Sequence, residues 1–115
     1  MIRKIFSYGD YFGTFYEEQD QKSRDKIDFV LDLIKNEKHV PKKFLKHMEG
    51  TDSLYEIRVS TTYKEIRIFS FFDHGNLVIL ANCIVKKSQK TPKNAIELAI
   101  KLKKEYFKNK DNEQA

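Results

Sequence analysis

Two hydrophobic periods divide this chain. Ile27, Val30, Leu31 and Ile34 recur at the i, i+3, i+4, i+7 spacing of an amphipathic helix, with Asp25, Asp28, Asp32 and Lys35 on the polar side. Ser23 is the expected N-cap of that helix. A shorter helix capped by Asp10 carries Phe12, Phe15 and Tyr16 on one face, and before it Ile2 to Tyr8 reads as a strand stopped by Gly9. Residues 38–50 are polar and basic; Val40-Pro41 breaks any continuing helix, and Phe44-Leu45 anchors a turn.

From Leu54 the period drops to two. Tyr55, Ile57 and Val59 alternate with Glu56 and Arg58, and after the polar Ser60-Thr61-Thr62 turn Ile66 and Ile68 alternate with Glu65 and Arg67. Asp73-His74-Gly75-Asn76 is a hairpin turn, and Leu77 to Ala81 has the continuous apolar character of a strand covered on both faces. Thr91-Pro92 starts a last helix lined by Ala95, Ala99, Leu102 and Tyr106. The predicted order is β-α-α-β-β-β-α, an α+β domain over residues 1–109 with a mostly antiparallel sheet. A helical hairpin covers one sheet face and leaves part of the other accessible. Residues 110–115 are expected to form a disordered tail, with fraying from Asn109.

Composition narrows the possibilities. With 115 residues, 40% hydrophobic and 13% aromatic, the chain can bury one core but not two. No apolar run reaches bilayer length, and the N-terminus lacks the apolar stretch of a signal peptide, so the expected location is the cytoplasm, away from membranes. The single cysteine, Cys83, excludes an internal disulfide and sits mid-strand as a core thiol. His39, His47 and His74 are scattered without ligand spacing, so neither a metal site nor a cofactor is expected. The four glycines fit no phosphate-binding loop, and no serine elbow occurs.

Charge is the more informative property. The net charge is +5, yet residues 86–110 hold nine lysines against two glutamates, a local +7 that leaves −2 for the rest. Such polarity suits a polyanion or an acidic protein. The stretch Ile84-Val85-Lys86-Lys87-Ser88-Gln89-Lys90-Thr91-Pro92 sets three lysines at a strand end, just before a helix start. Glu56 and Arg58 share one side of their strand and Arg67 lies on the next, where an arginine pair can hold one phosphate bidentately. Glu56 is read as the ion-pair partner that orients Arg58. An ordinary solvent-facing charge ladder explains Arg58 and Arg67 equally well, and a solubilising strand end explains the lysines. As an exposed sheet residue, Arg67 is expected to tolerate alanine without loss of the fold.

The chain resembles the RelE/ParE superfamily of type II toxins, in its HigB-like, phage-derived branch. The resemblance lies in the element order and in two phrases, Leu54-Tyr55-Glu56-Ile57-Arg58 and Lys86-Lys87-Ser88-Gln89-Lys90-Thr91-Pro92, followed by Ala99 and Tyr106. It departs from the family at Glu65, Asn82, Ile84 and Ser88; Asn82 stands where histidine often occurs and cannot titrate. The resemblance implies a RelE-like fold and a metal-independent endoribonuclease that cuts messenger RNA in the ribosomal A site. It also implies a cognate antitoxin, expected to be a helix-turn-helix protein. Arg58, Arg67 and Lys87 are the implied catalytic residues; Glu56, Lys64, Lys86, Gln89, Lys90 and Lys93 are the implied RNA contacts. Tyr55 and Tyr63 are candidates for stacking on a base. A competing reading is a non-catalytic or ParE-like protein that binds gyrase or an antitoxin without cutting RNA.

Overall fold

The computed structural model describes residues 1–114. Its elements are β1 (Lys4–Ser7), α1 (Tyr11–Glu17), α2 (Gln21–Asn36), β2 (Leu45–His47), β3 (Tyr55–Ser60), β4 (Glu65–Asp73), β5 (Leu77–Lys86) and α3 (Lys93–Gln114). The five strands form one sheet in the order β1-β5-β4-β3-β2, with β1 parallel to β5 and every other pair antiparallel.

Each sheet face buries its own apolar set, as strand alternation requires. Ile57 and Val59 of β3, Ile66 and Ile68 of β4, and Val78 and Leu80 of β5 pack against Ile27, Val30 and Ile34 of α2, joined by Phe12, Phe15 and Tyr16 of α1. On the opposite face Phe69, Phe71, Ile79 and Ala81 meet Ala95, Ala99 and Leu102 of α3. The turn between β4 and β5 has His74 and Gly75 at φ 50 and 62, the paired left-handed conformation of a tight hairpin. Between β4 and β5 the register shifts once, so that Ala81 and Asn82 together oppose Phe69 in a β-bulge.

Three details differ from the sequence expectation. The N-cap of α2 is Asp20, whose carboxylate accepts the backbone N–H of Ser23 at 2.9 Å; Ser23 itself is buried inside the first turn. Leu45 to His47 form a fourth antiparallel strand, not a turn, because β3 offers them a free backbone edge. The segment expected to be a disordered tail continues α3 to Gln114, held where Lys110 Nζ donates to Asp73 Oδ2 at 2.8 Å and Asn109 Nδ2 to the Tyr8 hydroxyl at 3.1 Å. Ala115 lies outside the described residues.

Candidate functional site

The side of the sheet that carries α3 is covered only in part. Towards the β3–β4 turn, alternation aims Glu56 and Arg58 of β3 and Glu65 and Arg67 of β4 away from the α1/α2 core, onto the same face as α3. The pairing register sets Arg58 directly opposite Arg67, Lys46 opposite Glu56, and Lys86 opposite Glu65. Two guanidiniums side by side repel one another, and the carboxylate they share relieves that repulsion. Arg58 Nε donates to Glu56 Oε1 at 2.8 Å, its Nη2 lies 2.7 Å from the same oxygen, and Arg67 Nε lies 3.8 Å from it.

Arg67 departs from the exposed position expected of it. It is 6% exposed, and Glu56 is 5% exposed. A buried guanidinium needs partners for its N–H groups, yet Arg67 has few. Nη1 donates to the Ile66 carbonyl at 3.1 Å, Nη2 stands 3.6 Å from Glu65 Oε1, and buried Nε has no hydrogen-bond partner among the described residues. Such a guanidinium keeps donor capacity that its neighbours do not use. The expectation that Arg67→Ala spares the fold is therefore withdrawn, since the substitution deletes one of two cations around buried Glu56.

Two depressions flank the cluster. One, of about 470 Å³, is lined by Glu65, Arg67, Lys86, Lys87, Ser88 and Gln89. The other, of about 570 Å³, is lined among others by Lys46, Glu56, Lys90 and Thr91. The 87–92 loop thus contributes to both. Lys93, at the start of α3, is exposed and lines neither. Lys64 is not brought to the site: its ammonium donates to Gln19 Oε1 at 3.1 Å and lies 4.0 Å from Asp20, at the junction of α1 and α2. Tyr55 packs edge-on against Phe72 and His47, with ring centroids 5.0 and 5.2 Å away, whereas Tyr63 is 92% exposed on the β3–β4 turn. Lys46 is the residue that the sequence reading omitted; once β2 is recognised, its pairing opposite Glu56 follows from the register.

Tyr106, part of the resemblance, is remote from this cluster. Its hydroxyl donates to Asp73 Oδ2 at 2.6 Å, and Asp73 stands six positions along β4 from Arg67, about 20 Å at strand spacing. Burial, and then the bond to Asp73, push the Tyr106 hydroxyl up to about 12. Burial alone would raise Asp73, but the hydrogen bonds from Lys110 and Tyr106 outweigh it and hold the carboxyl below its ordinary range. Cys83 is pushed up to about 12 by burial, as a core thiol should be. Among the described residues no group of three or more His, Cys, Asp or Glu converges to hold a metal ion.

Residues 14–104 match the family described as "Phage derived protein Gp49-like (DUF891)". The chain belongs to that family. Its fold is that of RelE: a mutant of the Escherichia coli toxin RelE in the free state superposes with a TM-score of 0.61 at 13% identity, covering 88% of this chain and 97% of that one. RelE in the archaeal RelE–RelB complex from Pyrococcus horikoshii OT3 gives a TM-score of 0.52 at 12% identity, covering 74% of this chain and 96% of that one. No curated protein matches in sequence. The expected α+β architecture and the phage-derived family are both borne out. No helix among the described residues is long and apolar enough to cross a membrane.

Proposed function

We propose that this Gp49-like protein is the toxin of a toxin–antitoxin pair and that it cuts messenger RNA, working in the cytoplasm at the ribosomal A site. Support comes from the family and the RelE fold. The observation that carries the reading is the buried, under-bonded Arg67 beside Arg58 at the open end of the sheet. A cognate antitoxin of the helix-turn-helix kind completes the proposal, by analogy with the RelE–RelB complex.

The chemistry requires neither metal nor histidine. The RNA 2′-hydroxyl supplies the nucleophile: it gives up its proton to solvent water, its oxygen bonds to the adjacent phosphorus, the bond from phosphorus to the 5′-oxygen breaks, and a 2′,3′-cyclic phosphate and a 5′-hydroxyl remain. Arg58 and Arg67 face the phosphate and neutralise the charge that builds on its oxygens. Glu56 holds Arg58 in place for that task. Lys87, beside Arg67, supplies the proton that the departing 5′-oxygen takes up, while Lys86, Gln89 and Lys90 hold the flanking backbone. Lys93 extends the same basic edge. Lys64 drops out of the proposed contacts because it faces the α1–α2 junction.

The test is induced expression with mapping of messenger RNA ends, comparing wild type with an Arg58→Gln, Lys87→Gln double variant. New ends within translated frames, absent from the variant, are expected. Growth arrest with intact messages would replace the ribonuclease reading with a target such as gyrase.

A further inference from the structure

A cavity of about 730 Å³ is separate from the basic cluster. It is a cleft between α1 and the first turns of α3, with Asn82, Cys83 and Ile84 of β5 along its floor. Two features there are incomplete. First, β1 pairs with β5 only over Leu77 to Leu80, so among the described residues no strand lies along the outer edge of β5 from residue 81 to Lys86. Main-chain groups on such an edge are a template for a further strand. Second, Asn82 is 4% exposed, and while its Nδ2 donates to the Ala95 carbonyl at 3.0 Å, its Oδ1 has no partner among the described residues. A buried acceptor without a donor is costly and rare.

One kind of occupant answers both. An extended peptide segment beyond β1 would pair with β5 main chain to main chain, offer an N–H to Asn82 Oδ1, and place apolar side chains against Phe15 and Leu98. Nucleic acid suits the cleft poorly, because Asp10 and Glu18 stand on its α1 side and would repel phosphates. The vacant edge of six residues measures about 20 Å, the length of an ordinary strand.

We infer that the outer edge of residues 81–86 and the α1–α3 cleft form the docking surface for the antitoxin, which adds an extended segment of about six residues as a sixth strand. The inference rests on the toxin–antitoxin reading above. It places the partner one strand away from Arg67, whose register partner is Ile84.

The experiment co-expresses the chain with the product of the adjoining gene and scores growth rescue, then measures amide hydrogen exchange of the purified complex. Thr14→Trp fills the cleft from an exposed position on α1, so it spares the core and the basic cluster. The expected result is at least tenfold slower exchange of amides within residues 82–86 in the complex. A Thr14→Trp toxin should still arrest growth but need at least tenfold more antitoxin for rescue. Rescue unchanged by Thr14→Trp, with exchange slowed elsewhere, overturns the docking surface and leaves the toxin reading intact. A Thr14→Trp protein that loses RNA cleavage without any partner also overturns it, assigning the cleft to RNA. Absence of rescue by the adjoining gene product removes the toxin–antitoxin reading and this inference with it.

Discussion

Two buried carboxylates on this sheet, Asp73 and Glu56, each sit between two donor side chains, and the difference between them separates a clamp from the proposed binding site. Around Asp73 the acceptors are fully used: Tyr106 donates at 2.6 Å and Lys110 at 2.8 and 3.0 Å. Around Glu56 only Arg58 is closely bonded, and Arg67 hangs back at 3.8 Å with its Nε unpaired. The first cluster has nothing left to offer a ligand. The second keeps a cation in reserve, which is what phosphate recognition requires.

The sharpest way to break the comparison is to neutralise Glu56. Glu56→Gln leaves Arg58 and Arg67 facing each other without the anion they share, and should cost about 3 kcal/mol in urea unfolding, the scale of breaking a buried ion pair. Millimolar phosphate should restore part of that loss, because a free anion can take the vacated place. No phosphate effect would mean that Arg67 cannot accept an outside anion.

Asp73→Asn is expected to cost about 2 kcal/mol through the Lys110 and Tyr106 bonds, with RNA cleavage unchanged. Its acid behaviour distinguishes it further. A carboxyl held low in the folded state stabilises above its unfolded value, and that stability is lost as pH falls through the folded one. Wild type should therefore weaken below about pH 4, and the variant should lack that slope.

Tyr106→Phe removes one hydrogen bond of the same clamp and should cost about 1 kcal/mol, roughly 4 °C in melting temperature. Since the tyrosine is raised in the folded state to about 12, its stabilisation is present below its ordinary value of 10.0 and fades between the two as pH rises. Thermal scans from pH 9 to 12 should show this decline in wild type and not in Tyr106→Phe.

The smallest change in stability, within about 0.5 kcal/mol, is expected for Lys46→Ala and Lys64→Ala, both surface lysines. They should part in RNA binding: Lys46→Ala lowers affinity and reduces the salt slope by about one, while Lys64→Ala leaves both unchanged. Equal effects would erase the distinction between the two sides of the sheet.

How much of this was legible beforehand follows from what local pattern can carry. The β4–β5 hairpin and the α2 stripe are written in short-range periodicity, and the short turn before Lys64 was enough to set Arg58 against Arg67. The burial of Arg67 was not legible, because it depends on Glu56 and on the packing of neighbouring strands. β2 escaped because it has one apolar residue in three and owes its existence to the edge of β3. The end of α3 escaped because its anchor, Asp73, lies 37 positions earlier in the chain. Lys64 was misplaced although alternation from Arg67 already set it on the other side of β4.

The bulge at Ala81 and Asn82 works as a phase change within one strand. Before it, even-numbered residues of β5 face the helical hairpin, as Val78 and Leu80 do; after it, odd-numbered ones do, as Cys83 and Val85 show. Pressing both residues into the ladder with none removed would restore a single phase, turning Lys86 towards the α1/α2 core while Val85 turned outward. Deleting one of the two, by contrast, would erase the bulge and leave Ile68 opposite Cys83, so every side chain beyond it would keep its face. The polarity of the whole basic edge thus depends on one residue staying out of the ladder.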